Sequence, residues 1–113
     1  NSNKATQHVK VGDFPYAIEI DYTQDRLFVT NQRSNSVSVI SLDKMQSIDE
    51  ISVGEYPEGI DLHPNQQHLY VANWFDNLIS VIDITTLTVI NEIETEDGCR
   101  AYGDFISSHT FSP

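Results

Sequence analysis

The sequence predicts an all-β chain: a β-propeller fragment of two four-stranded antiparallel blades with extra flanking strands. Three observations predict this. The chain repeats itself without a gap at an offset of 42 residues, a period in the range of propeller blades. Each repeat holds four short runs rich in β-branched residues, separated by turn residues. No segment carries a 3.6-residue apolar period long enough for a helix.

The repeat reads directly from the residues. VGDFP, beginning at Val11, falls on VGEYP, beginning at Val53. LFVTN, Leu27 to Asn31, falls on LYVAN, Leu69 to Asn73, and Asn35 falls on Asn77. VSVISL, from Val37, falls on ISVIDI, from Ile79. Ile48, Glu50 and Ile51 fall on Ile90, Glu92 and Ile93. A sandwich also explains evenly spaced strands, but it does not predict an ungapped repeat of whole four-strand units. A propeller does, because each blade is one four-stranded sheet stacked on the next.

The first strand of the first unit is predicted over 16–22, where Ile18 and Ile20 alternate with Glu19 and Asp21, the strand period of two. The others follow at 26–31, 36–42 and 47–53. Their counterparts are 58–63, 68–73, 78–84 and 89–95. The second and third strands are apolar at most positions, as expected where both faces of a sheet are covered. Thr23-Gln24-Asp25 and Pro64-Asn65-Gln66-Gln67 supply polar hairpin turns. Asn35 and Asn77 stand where a left-handed residue is often needed. Gly12 and Gly54 are expected to take a positive φ, and Pro15 and Pro57 to fix φ at the start of each unit. The domain layout is one partial propeller domain: repeats at 11–52 and 53–94, the first strand of a further or closing blade at 95–106, and a tail at 107–113.

Composition narrows the function classes. Six Lys and Arg against 17 Asp and Glu give a net charge of −11. That charge repels phosphate backbones and anionic lipid surfaces, so nucleic-acid binding is not expected. No apolar run approaches the roughly 20 residues of a membrane helix. Cys99 is the only cysteine, which excludes an internal disulfide and reads as a small buried hydrophobe. The chain carries no haem-attachment C-x-x-C-H, phosphate loop, nucleophile elbow or regular calcium loop. No catalytic residue, metal site or cofactor is therefore expected within it. His8, His63, His68 and His109 match no zinc spacing. Glu19, Asp21 and Asp61 lie on first strands, facing the central channel in this reading.

LFVTN and LYVAN, each followed by an Asn, then VSVI or ISVI, then VGxxP, resemble the YVTN-repeat family of β-propellers. The resemblance runs from about Val11 to Ile106. GCRAYGDFI, Gly98 to Ile106, is similar to the family's usual ending, P-R-A-F-G-x-F-I, with Cys99 where proline is usual. The resemblance implies a periplasmic or extracellular propeller. It transfers little function, because some members are surface or binding proteins and some relatives are propeller parts of periplasmic redox enzymes. Some members bind DNA, a role that the net charge opposes here.

In a propeller the fourth-to-first and second-to-third loops share one rim, the usual ligand face. This rim is expected to gather Asp13, Phe14, Arg33, Ser34, Glu55, Tyr56, Trp74, Phe75 and Asp76. The binding residues expected there are Arg33, Tyr56, Trp74, Phe75 and Asp76, with Arg100 at the start of the last strand. Trp74 reads either as an anchor for a partner or as a plug between blades. Arg100 reads either as an anion holder or, preferably, as the ion-pair partner of a carboxylate on a neighbouring blade. The expected function is a non-catalytic extracytoplasmic module that binds a protein or small molecule through this rim. The alternative is the propeller portion of a periplasmic oxidoreductase whose cofactor residues lie elsewhere. A strand of the fourth type at 5–11 and one of the first type at 100–106 leave the propeller unclosed, since closure takes four to eight blades. The chain starts with Asn1, not Met, as a fragment or processed chain would. The expected partners are the remainder of a longer propeller or further copies of the chain.

Overall fold

The computed structural model describes residues 8–95. Eight strands, and no helix among the described residues, form two four-stranded antiparallel sheets. The first holds β1 (Pro15–Asp21), β2 (Arg26–Asn31), β3 (Ser36–Ser41) and β4 (Gln46–Ser52) in sequential order. The second holds β5 (Pro57–Leu62), β6 (His68–Asn73), β7 (Leu78–Asp83) and β8 (Thr88–Glu94), ordered in the same way. Corresponding strands begin 42 positions apart, the offset of the sequence repeat. The first, third and fourth strands of each sheet end one residue earlier than expected, and the first and fourth also begin one earlier. The strand expected over 5–11 begins outside the described residues, and its described part, His8–Val11, is irregular chain. The strand expected over 100–106 lies outside the described residues, as do Cys99 and His109.

Register assigns the faces. Phe28 stands opposite Val39, and Val37 opposite Ile51, so these four share one face of the first sheet. Leu62 stands opposite Leu69, and Leu69 opposite Ile82, on one face of the second. These two faces meet in one core, joined by Val71 and Ile84. Phe28, Val37, Val39, Leu69, Val71 and Ile82 are completely buried there. The core is thus the interface between two blades. The other face of the second sheet carries a separate cluster of Tyr70, Ala72, Ile79 and Val81. The other face of the first sheet carries Ile18, which is 58% exposed.

The two sheets converge at their first strands and splay outward. β1 lies beside β5, whereas β4 and β8 barely touch. Thr30 Oγ1 donates to the Glu58 carbonyl oxygen across the convergence, at 3.1 Å. Gln32 Nε2 donates to Glu58 Oε2 at 2.8 Å, so a buried carboxylate and a buried amide satisfy each other between blades. Converging inner strands and splayed outer ones are blade geometry.

The apolar-strand expectation holds with one amendment: Ser36 and Ser38 of β3 and Ser80 of β7 are buried too. Asn31 Nδ2 donates to Ser38 Oγ at 2.9 Å, and Asn73 Nδ2 donates to Ser80 Oγ at 2.8 Å. The repeated Asn–Ser pair is thus one internal polar bond, built twice at equivalent positions.

The glycines correct the expected turn chemistry. Neither Gly12 nor Gly54 has a positive φ; the left-handed residues are Phe14 (φ 57) and Tyr56 (φ 61), two positions later. Glycine is needed for close approach instead. A Cβ on Gly12 would stand 2.8 Å from Asn31 Cγ, and one on Gly54 would stand 2.8 Å from Asn73 Cγ. Both asparagines are fully buried and cannot swing aside. Asn35 and Asn77 do take the left-handed conformation, with φ of 55 and 57. Gly54→Ala is expected to lower stability by about 1–3 kcal/mol, the usual cost of overpacking, read as a shift in urea midpoint. An unchanged midpoint would mean that the loop yields without cost.

Candidate binding site at the loop rim

The hairpin geometry brings the fourth-to-first and second-to-third loops together. In the first repeat, Gln32 N–H donates to the Phe14 carbonyl at 2.9 Å. In the second, Trp74 N–H donates to the Tyr56 carbonyl at the same distance. A side-chain brace repeats alongside. Asp13 N–H donates to Ser34 Oγ at 2.6 Å, and Glu55 N–H donates to Asp76 Oδ2 at 2.7 Å. Tyr56 N–H donates to Asn35 Oδ1 at 3.1 Å, tying the second repeat's loop to the first.

An open hollow of about 390 Å³ lies between these loops, lined by Asn35, Glu55, Tyr56, Trp74 and Phe75. The ring centroids of Tyr56 and Trp74 are 5.4 Å apart with a 50° tilt. Those of Trp74 and Phe75 are 6.3 Å apart, edge to face. Such tilted pairs are favourable ring geometries, so the aromatic wall is preorganised. Trp74 is half-buried between its neighbours, and Phe75 is 68% exposed.

Of the binding residues expected on the rim, the hollow gathers Tyr56, Trp74 and Phe75. Asp76 does not line it, and its carboxylate holds the Glu55 amide. Arg33 lies in the neighbouring loop with its guanidinium 5.1 Å from the centre of the Phe14 ring. Arg100 lies outside the described residues. Asn35 was expected only as a turn former, and its lining role follows from the tertiary meeting of two repeats. Glu55 was expected on the rim without a role.

The carboxylates of the first strands separate into two kinds. Asp21 is fully buried and pairs with Arg26, at 3.0 Å from Oδ2 to Nη2. It also accepts from Thr23 N–H and Thr23 Oγ1. Burial by itself would raise its pKa, but the bonds from Thr23 and Arg26 outweigh that and hold it below the ordinary 3.8. Asp21 is therefore a structural ion, not a group facing the channel. Burial raises Glu19 above its ordinary 4.5, aided by the charge of Asp61, and burial also raises Asp61 above 3.8.

The sign of each effect sets a pH profile. Glu19 and Asp61 disfavour the native state while ionised, so their penalty is relieved as pH falls through their raised values. The Asp21 contribution is present above 3.8 and is lost as pH falls through its depressed value. The melting temperature is expected to rise as pH falls from neutral through the raised values of Glu19 and Asp61, and to fall below pH 3.8. Glu19→Gln should flatten the rise. A profile that falls monotonically from pH 7 would contradict this assignment.

The opposite rim carries His63 and His68 in a polar turn. His63 Nδ1 accepts from Asn65 N–H at 3.0 Å, and its ring lies 6.0 Å from that of Tyr70. Among the described residues no group of three His, Cys, Asp or Glu is placed to hold a metal ion. Among them, too, no helix is long and apolar enough to cross a membrane.

No family model matches the chain, so the finer resemblance to YVTN-repeat propellers rests on its motifs. No curated protein matches it in sequence. Solved structures do match. Hydrazine synthase of Kuenenia stuttgartiensis aligns at TM-score 0.71 and 36% identity over 74% of this chain and 24% of that one. The β-propeller domain of Cps50 (Swd1) of Myceliophteria thermophila aligns at TM-score 0.68 and 10% identity, over 79% of this chain and 28% of its own. The dihydro-heme d1 dehydrogenase NirN, solved in complex with DHE, aligns at TM-score 0.69 and 15% identity, over 80% and 21%. The chain thus spans about a quarter of the length of the structures it matches. Two sheets of sequential strands, a core between them and likeness to known propellers together establish the fold: two consecutive blades of a β-propeller.

Proposed function

We propose that this chain is a non-catalytic, extracytoplasmic propeller portion that binds a protein or small molecule through the rim hollow of Asn35, Glu55, Tyr56, Trp74 and Phe75. The observation that carries the proposal is the preorganised aromatic wall of that hollow, with Phe75 mostly in water. Exposed aromatic side chains beside a half-buried tryptophan are the usual makings of a binding hot spot. The loops bearing them are less constrained than the paired strands, so their side chains can be given over to recognition. The extracytoplasmic placement is supported by the YVTN-like motifs. In this reading the remaining blades come from a longer chain or from further copies, and cover apolar positions such as Ile18.

A second reading, the propeller portion of an oxidoreductase, is favoured by a specific observation. Two of the similar structures, hydrazine synthase and the dehydrogenase NirN, are named as enzymes. Visible absorbance from a haem or quinone bound to the purified protein would support it.

The test of the first reading uses the chain's only tryptophan. A library of peptides and small molecules is screened by Trp74 fluorescence, and each hit is measured again by calorimetry. Binding is expected to weaken in Phe75→Ala and to be unchanged in the double variant His63→Ala, His68→Ala on the opposite rim. The reverse pattern would refute the rim assignment.

A further inference from the structure

The two repeats differ at the rim in three informative places: Phe14 against Tyr56, Gln32 against Trp74, and Arg33 against Phe75. In the first, Arg33 lays its guanidinium over the Phe14 ring at 5.1 Å, within the usual range of a cation–π contact. In the second, Tyr56 occupies the place of Phe14, and Phe75 occupies the place of Arg33. The first repeat therefore sets a cation of its own against its loop aromatic. The second replaces that cation with a third ring and opens a hollow beside it.

We propose that the hollow of the second repeat receives the guanidinium of an arginine side chain from a basic segment of a partner protein. This rests on the rim reading above and names its ligand chemistry. Tyr56, Trp74 and Phe75 line the hollow with their rings tilted by 50° and 66° to one another, and aromatic faces attract cations. Glu55, which bears a carboxylate, and Asn35, which bears an amide, complete the lining. A guanidinium both stacks on rings and bonds to carboxylates, which an ammonium does less well. The net charge of −11 attracts a basic segment at long range. The internal Arg33–Phe14 contact is a working copy of the interaction at the equivalent site.

The experiment titrates the chain with an acetylated peptide holding one arginine among neutral residues, followed by Trp74 fluorescence and, for the variant that lacks Trp74, by calorimetry. The same peptide with citrulline, which keeps the shape and lacks the charge, is the comparison, and methylguanidine is a third probe. The arginine peptide should bind saturably, and the citrulline peptide at least tenfold more weakly. Phe75→Arg should supply an internal cation, as Arg33 does over Phe14, and weaken the arginine peptide at least tenfold. Arg33→Ala, which leaves the hollow intact, should not weaken it. Equal binding of the arginine and citrulline peptides overturns the proposal. Methylguanidine binding as tightly as the peptide also overturns it, in favour of a free small cation. A ligand lost with Trp74→Ala yet indifferent to its own charge would overturn this inference while leaving the rim reading in place. Binding untouched by both Trp74→Ala and Phe75→Arg would overturn both.

Discussion

Phe28→Ala is expected to destabilise the protein by about 3–5 kcal/mol, the range for removing a buried aromatic side chain. Phe28 is completely buried and lies in the core formed by the facing surfaces of the two blades. Its removal opens a cavity bounded by side chains of both sheets, and paired strands cannot move inward to fill it. The Arg26 guanidinium, 5.3 Å from the centre of the Phe28 ring, loses that contact as well. Because the core is the inter-blade surface, the change acts on blade stacking and not on one hairpin. Urea denaturation should show the loss as a lower midpoint. Phe75→Ala is the control: its side chain is mostly in water, so a change within about 0.5 kcal/mol is expected. Equal effects of the two substitutions would contradict the assignment of the core.

Trp74→Ala is expected to weaken partner binding by about 2 kcal/mol or more, the threshold of a hot spot. The indole packs between the rings of Tyr56 and Phe75, so truncation removes a wall of the hollow and the support of its neighbours. Calorimetry gives the change in affinity, and thermal melting of the same variant separates anchor from plug. An anchor loses binding and keeps most of its melting temperature. A plug keeps binding and loses stability sharply.

Much of the fold was legible because the repeat is ungapped. The motifs LFVTN and LYVAN placed β2 and β6 to the residue. The period of two in Ile18, Glu19, Ile20 and Asp21 located β1. The rim was legible for the same reason, since blade topology alone brings the two loops together. What failed to read was tertiary. A repeated glycine looks the same whether it serves a positive φ or close approach, and only the buried Asn31 and Asn73 beside Gly12 and Gly54 decide between them. Asp76 was expected to bind and Ser34 only to stand on the rim, yet both brace a backbone amide across it. Asp21 looked like a channel carboxylate because its partner Arg26 opens the next strand, and only the hairpin closes the pair. The lining role of Asn35 has no local signal, because the hollow exists only where one repeat's loop meets the next.

NMR chemical-shift mapping tests the central claim most directly. The chain, labelled with nitrogen-15, is titrated with the single-arginine peptide. The amides of Asn35, Glu55, Tyr56, Trp74 and Phe75 are expected to shift together and to saturate at one affinity. Amides of the opposite rim, His63, Asn65 to Gln67 and Tyr22 to Asp25, should stay in place. Shifts centred on those turns, with the hollow's residues unmoved, would contradict the account.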